Sequence, residues 1–127
     1  MIEYLTATHL QIIASLRSAN IAIIVNTHKV CSTNKFDGYA ISPKHKLNET
    51  GRNEIAICMN TIKRNYADWN HEVNRTIAHE SVHLAQMCKS RDGYIRPLGF
   101  RKDIEAEAFA IQDNPKEVLR IVRKYCL

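Results

Sequence analysis

Residues 76–86 read TIAHESVHLAQ, two histidines four positions apart with a glutamate directly after the first, in a chain that has only six histidines. On an α-helix, positions i and i+4 project from one face a turn apart, so His79 and His83 can aim imidazole nitrogens at a single ion. Glu80 lies about 100° further round the helix than His79, beside that pair instead of on it. A carboxylate there can take a proton from metal-activated water. Zinc suits the pattern, because it binds neutral imidazole nitrogen and its catalytic sites use three protein ligands and keep a position open. The flanking Thr76, Ile77, Ala78, Val82, Leu84 and Ala85 are small or apolar, as expected of a helix buried beneath a sheet with its metal face open to a cleft.

Working outward, the helical pattern starts at Asp68 or Asn70, either a good N-cap, and carries Val73, Ile77, Glu80, Leu84 and Met87 along one face to about Ser90, before Gly93. Upstream, Thr8 and Gln11 have capping-box spacing, and Ile12, Ile13 and Leu16 continue a helix that Asn20 can stop. Three short strand patterns follow: IAIIV at 21–25, DGYAIS from Asp37, and EIAICM at 54–59. The polar stretch SPKHKLNETGRN separates the last two as a loop or long hairpin connection. Downstream, DIEAEAFAIQ at 103–112 has high helix propensity, and Asn114, Pro115 and Glu117 open a last helix carrying Val118, Ile121, Val122 and Tyr125. The order is helix, three strands, then three helices, which makes a single α+β domain over residues 1–127.

Composition narrows the function classes. With 127 residues, 45% hydrophobic and 24% charged, the chain belongs to the soluble globular class. No apolar run approaches the roughly 18 residues that cross a bilayer, and the N-terminus lacks the marks of a secretory signal, so a cytoplasmic location is expected. The net charge of +5 comes from scattered Lys and Arg without an aromatic-rich basic stripe, which does not indicate nucleic acid. Cys31, Cys58, Cys88 and Cys126 form no CxxC pair, and in a reducing compartment they are expected as buried thiols. Nothing in the pattern speaks to oligomeric state.

No histidine follows His83, so a carboxylate must close the site. The extended HExxHxxGxxH form would need Gly at 86 and His at 89, where this chain has Gln86 and Lys89. The nearest downstream acids are Asp92, Asp103, Glu105, Glu107 and Asp113, and only DIEAEAFA concentrates acids on a helix lined with alanines that can approach the first closely.

NRTIAHESVH followed by EAEAFA resembles the gluzincin metallopeptidases, in the compact form of the phage-immunity and radiation-response (ImmA/IrrE) and minigluzincin-type families. FDGYAIS and EIAICMN also fall where those families carry their sheet. The resemblance implies a zincin-like fold with an N-terminal helix, a small three-stranded sheet, the HExxH active-site helix and C-terminal helices. It implies His79 and His83 as zinc ligands, Glu80 as general base, and Glu105, with Ala108 three residues on, as third ligand. Such families often place Asp or Asn four residues after that ligand to orient a histidine, and here Phe109 stands there. Two other registers make Asp103 the ligand, with Ala106 and Glu107 following, or make Glu107 itself the ligand; Asp103 also reads as a helix N-cap.

The function so implied is zinc-dependent hydrolysis of a peptide or protein substrate. Its alternative is a non-catalytic zinc-binding regulatory or interaction module of the same fold. Tyr94, Arg96 and Tyr39 are candidates to stabilise an oxyanion. Trp69 reads as a packing anchor and His71 as an exposed residue near the helix start.

Overall fold

Thr6 opens the first helix. Its Oγ1 accepts the backbone N–H of His9 at 3.2 Å, so helix α1 (Ala7–Ser18) is capped by Thr6 and not by Thr8. Asn20 ends the turn after it in the left-handed region, φ 62°, which Asn adopts readily. The computed structural model describes residues 2–127.

Strand β1 (Ala22–Val25) follows, then a 3-10 turn at Lys29–Thr33, strand β2 (Gly38–Ile41), the polar connection 42–53, and strand β3 (Glu54–Ile57). The sheet order is β1-β3-β2, with β1 parallel and β2 antiparallel to β3. β3 is central and every residue of it is buried, as a strand covered on both faces must be. The period of two sorts its side chains: Ile55 and Ile57 join the main core, while Ala56 and Cys58 join a small cluster with Val30 and Ile41 on the other face.

That second face also buries Glu54. Its carboxylate accepts His28 Nε2–H at 2.9 Å and the Glu49 N–H at 2.8 Å, while His28 Nδ1 accepts the Val30 N–H. Burial alone would raise the Glu54 pKa. The hydrogen bonds from Thr50, His28 and the backbone outweigh it and hold the carboxyl below its ordinary range.

Helices α2 (Met59–Asn65), α3 (Trp69–Ser90), α4 (Ile104–Ile111) and α5 (Pro115–Cys126) complete the fold, an α+β arrangement of five helices on a small mixed sheet. α2 is an addition to the expected order. It has no side-chain cap at Cys58, and its apolar Met59 continues the strand pattern, so no start signal marks it. α3 is the centre, with thirteen of its 22 residues buried and Ile77, Ala78, Val82, Leu84 and Ala85 fully so. Its neighbours are α1, α2, α4, α5 and the β2–β3 face. Burying each large aliphatic there is worth about 1.5–3 kcal/mol.

The cysteines are paired, which corrects the expectation of free thiols. Cys31–Cys58 ties the 3-10 turn to the end of β3, and Cys88–Cys126 ties the last turn of α3 to that of α5. The Cα separations are 5.3 and 5.1 Å, but the partners lie 27 and 38 residues apart in sequence, where spacing carries no pairing signal. Among the described residues no helix is long and apolar enough to cross a membrane.

Candidate metal centre

α3 runs unbroken through residues 76–86, so the i, i+4 relation holds: the His79 and His83 rings lie edge to face with centroids 4.9 Å apart. Ligand atoms of His79, Glu80 and His83 all fall within 4.8 Å of one another. α4 packs on α3 through Ile111 and the fully buried Ala108, and its first turn brings the half-exposed Glu105 to the pair. Glu105 Oε1 lies 3.3 Å from His79 Nε2 and in still closer contact with His83 Nε2.

The other two acids of α4 are committed elsewhere. Asp103 Oδ2 accepts the Ala106 N–H at 2.9 Å as the helix N-cap. Glu107 is fully buried and accepts the backbone N–H groups of Leu98, Gly99, Phe100 and Arg101 together with Gln86 Nε2. Burial alone would raise Glu107, but these donors hold its carboxyl below the ordinary range.

Gln86 settles the tautomer of His83. Its amide N donates to two acceptors, Ile104 O at 3.1 Å and Glu107 Oε1 at 2.9 Å, so its oxygen must face His83 Nδ1 at 2.7 Å and accept a proton from it. In neutral His83 the lone pair is therefore on Nε2, pointing at the Glu105 carboxylate. Two acceptors face each other there, an arrangement that needs a proton or cation between them.

His79 is held more loosely. Its Nδ1 lies 2.8 Å from the Gln112 amide, which also borders Arg75. Turned so that its NH2 donates to His79, the amide oxygen accepts from Arg75 Nε at 2.7 Å and satisfies every group. With the oxygen on His79 instead, Nδ1–H donates and the Nε2 lone pair is free for a metal, while Arg75 keeps Asp113 at 3.2 Å. Gln112, on the turn after α4, is thus the residue at His79 Nδ1, while Phe109, where Asp or Asn was expected, packs edge to face on His79. Burial lowers the His79 pKa and favours the neutral ring a metal requires.

Glu80 sits under β2, 9% exposed. Burial, with the Glu105 charge adding to it, pushes its carboxyl up to about 8, against the favourable backbone N–H of Ala40. The strand can come this close because Gly38 has no side chain. A Cβ there would lie 2.7 Å from Thr76 Cγ2, 2.9 Å from the Ala56 carbonyl oxygen and 3.2 Å from Glu80 Cγ.

Two hollows, of about 630 and 430 Å³, share Phe36, Gly38, His79 and Glu80, so open space runs to both sides of the histidine pair. Tyr39 and Tyr94 line the larger one, while Arg96 pairs with Asp92 and stands 5.6 Å from the Tyr94 ring. Trp69 packs edge to face on Tyr4, and His71 is exposed. Sequence reasoning passed over Gln86 and Gln112, and over Lys44 and His45, which line the larger hollow. Gln86 had a signal, since it falls three positions after His83 on the face of the histidine pair; the others are brought in by tertiary packing.

No curated protein and no solved structure matches the chain. A family model matches residues 1–103, a span that takes in the whole sheet, His79, Glu80 and His83 and ends before Glu105; the chain belongs to that family, described as "Domain of unknown function (DUF8637)".

Proposed function

We propose that this protein is a zinc-dependent peptidase of the gluzincin type, in which His79, His83 and Glu105 hold the metal and Glu80 moves the proton. The observation that carries the reading is the meeting of acceptors: His83, its proton fixed on Nδ1 by Gln86, turns the Nε2 lone pair toward the Glu105 carboxylate that also borders His79 Nε2. Two imidazoles and a carboxylate are a donor set that zinc takes in hydrolytic sites. A bound zinc supplies Lewis acidity, which acidifies water and polarises a carbonyl.

Glu80 is raised by burial and by the Glu105 charge, so it holds a proton readily; positive charge at the histidine pair favours its carboxylate form. Between those two forms it can take a proton from the attacking water and deliver it to the amine of the broken amide. The zincin-like frame is supported by the α+β order with a strand laid against the histidine helix. A peptide is favoured as substrate because, among the described residues, β2 pairs on one side only, with β3, and the hollows give a chain room on both sides of the site. The two disulfides weigh toward an oxidising compartment and against the cytoplasm.

Purified protein should carry about one zinc per chain, lost in His79→Ala and in His83→Ala. Glu80→Gln should keep zinc and fold while losing cleavage of a diverse peptide library. Undiminished zinc in both histidine variants removes the site. Zinc without turnover across the library leaves a non-catalytic zinc-binding module.

A further inference from the structure

The larger hollow is walled mainly by apolar side chains, among them Phe36, Met87, Ile95 and Ile104, and its two carboxylates, Glu80 and Glu105, both sit at the histidine end. Lys44, on the connection after β2, is the one lysine or arginine of its lining. Lys44 is exposed, and its side chain lies over the α3 side of the cleft. Its stem lies across the backbone of Gly93, in the loop after α3: a Cβ at Gly93 would sit 2.6 Å from Lys44 Cδ and 2.9 Å from Cε. Its ammonium stands 4.8 Å from the centroid of the Tyr94 ring. A cation at that distance from an aromatic face is attracted by the ring without being neutralised by it.

Lys44 therefore reaches from the β2 side of the cleft to the α3 side. Among the described residues no carboxylate lies within ion-pair distance of it. Arg96, the other cation near Tyr94, is compensated by Asp92. A cation with no carboxylate partner on an otherwise largely apolar cleft wall gives a ligand with one anionic group a fixed place to pair.

From this placement we infer that the cleft binds peptides carrying a carboxylate, which pairs with Lys44 while neighbouring apolar side chains lie against the wall between Lys44 and the histidines. The carboxylate is either an Asp or Glu side chain or a peptide C-terminus; both offer the same anion. The inference rests on the peptide reading of the site and names the substrate class for it.

The test is binding of dansyl-labelled Ala/Leu-rich peptides to full-length protein carrying Glu80→Gln, so that none is consumed. Each peptide holds a single Asp, Asn or Lys at one position in turn, and is made with a free or an amidated C-terminus. The Asp-containing or free-acid peptides should bind about fivefold more tightly than their neutral counterparts, a preference that salt weakens. Lys44→Met should abolish the preference and Lys44→Glu should transfer it to the Lys peptides. Loss of affinity on amidation identifies the C-terminus, and loss on Asp→Asn the side chain. Equal binding across charge states, an unaltered preference in both Lys44 variants, or no binding of any peptide overturns the inference. Cleavage by the wild type is scored separately: cleavage without acid preference sinks the inference and leaves the peptidase reading, while Lys44-dependent binding without cleavage does the reverse.

Discussion

Glu105 and Glu107 stand two residues apart on one helix and should fail in opposite ways when each is changed to Gln. Glu107 Oε1 accepts from Leu98 N–H at 2.6 Å and Gln86 Nε2 at 2.9 Å; Oε2 accepts from the Gly99, Phe100 and Arg101 N–H groups at 2.9–3.1 Å. A Gln side chain fits the space but must put an NH2 against one of these two sets. The cheaper choice sets it against Leu98 and Gln86, so two buried donors lose their acceptor. Hydrogen bonds to a buried charge are worth about 1.5–3 kcal/mol each, which gives a loss of about 3–6 kcal/mol. For a chain of this size that is on the order of a 10–20 °C fall in Tm. Gln86 keeps the Ile104 carbonyl but loses the second of the two acceptors that fix its amide, so the His83 tautomer is less firmly enforced and zinc affinity should drop about 10-fold. Glu105 is half exposed and supports no backbone, so Glu105→Gln should keep Tm within about 2 °C while weakening zinc more severely. Thermal melts and zinc competition titrations on both variants decide the matter. A Glu107→Gln protein that melts like wild type refutes the account of the Leu98–Arg101 loop and of His83.

Asp103→Ala should cost about 1 kcal/mol through the lost cap and leave zinc content unchanged, as measured by denaturant titration and metal analysis. Denatured, unreduced protein should show no reactive thiol, and reduction should remove about 3–4 kcal/mol of stability for each of the two closed loops; four thiols before reduction would refute the pairing. Glu54, held below its ordinary 4.5 in the folded state, contributes stability that is present above pH 4.5 and lost as pH falls through the lower folded value. Glu54→Gln should therefore lower stability near neutrality and flatten its decline in acid, read from urea midpoints across pH; a decline as steep as that of the wild type would show that other groups carry it.

How much of this was legible depends on how local the determinants are. α3 was readable to its last residue because its buried face repeats at helical spacing over Val73, Ile77, Glu80, Leu84 and Met87, and α5 because Asn114 and Pro115 mark its start. Strand positions followed from β-branched runs, but the order β1-β3-β2 and the parallel pair did not, since register across 30 residues is set by which faces the helices cover. The cap at Thr6 instead of Thr8 and the uncapped α2 are errors of the same kind, weak end signals decided by packing. The disulfides were hidden because four scattered cysteines permit three pairings.

The third carboxylate is the instructive case, because the alternatives could have been ranked by angle. On α4 the residues Ile104, Ala108 and Ile111 recur at i, i+4 and i+7 and form the seam; Ala108 and Ile111 are buried. At about 100° per residue, Glu105 lies roughly 90° to one side of that seam, while Asp103 and Glu107 lie roughly 110° and 70° to the other. One flank therefore holds a single acid and the opposite flank holds two. The two-acid flank meets the Leu98–Arg101 loop, where four backbone N–H groups need acceptors, and Glu107 meets them. The one-acid flank meets the histidines. Which flank faces which partner is set by the direction in which α4 crosses α3, a tertiary fact absent from local pattern. Gln86 links the two flanks: one side of its amide binds Glu107 and the other binds His83, so the anchor of the loop and the aim of the imidazole are a single hydrogen-bonded unit, and a change on either flank reaches the histidine pair.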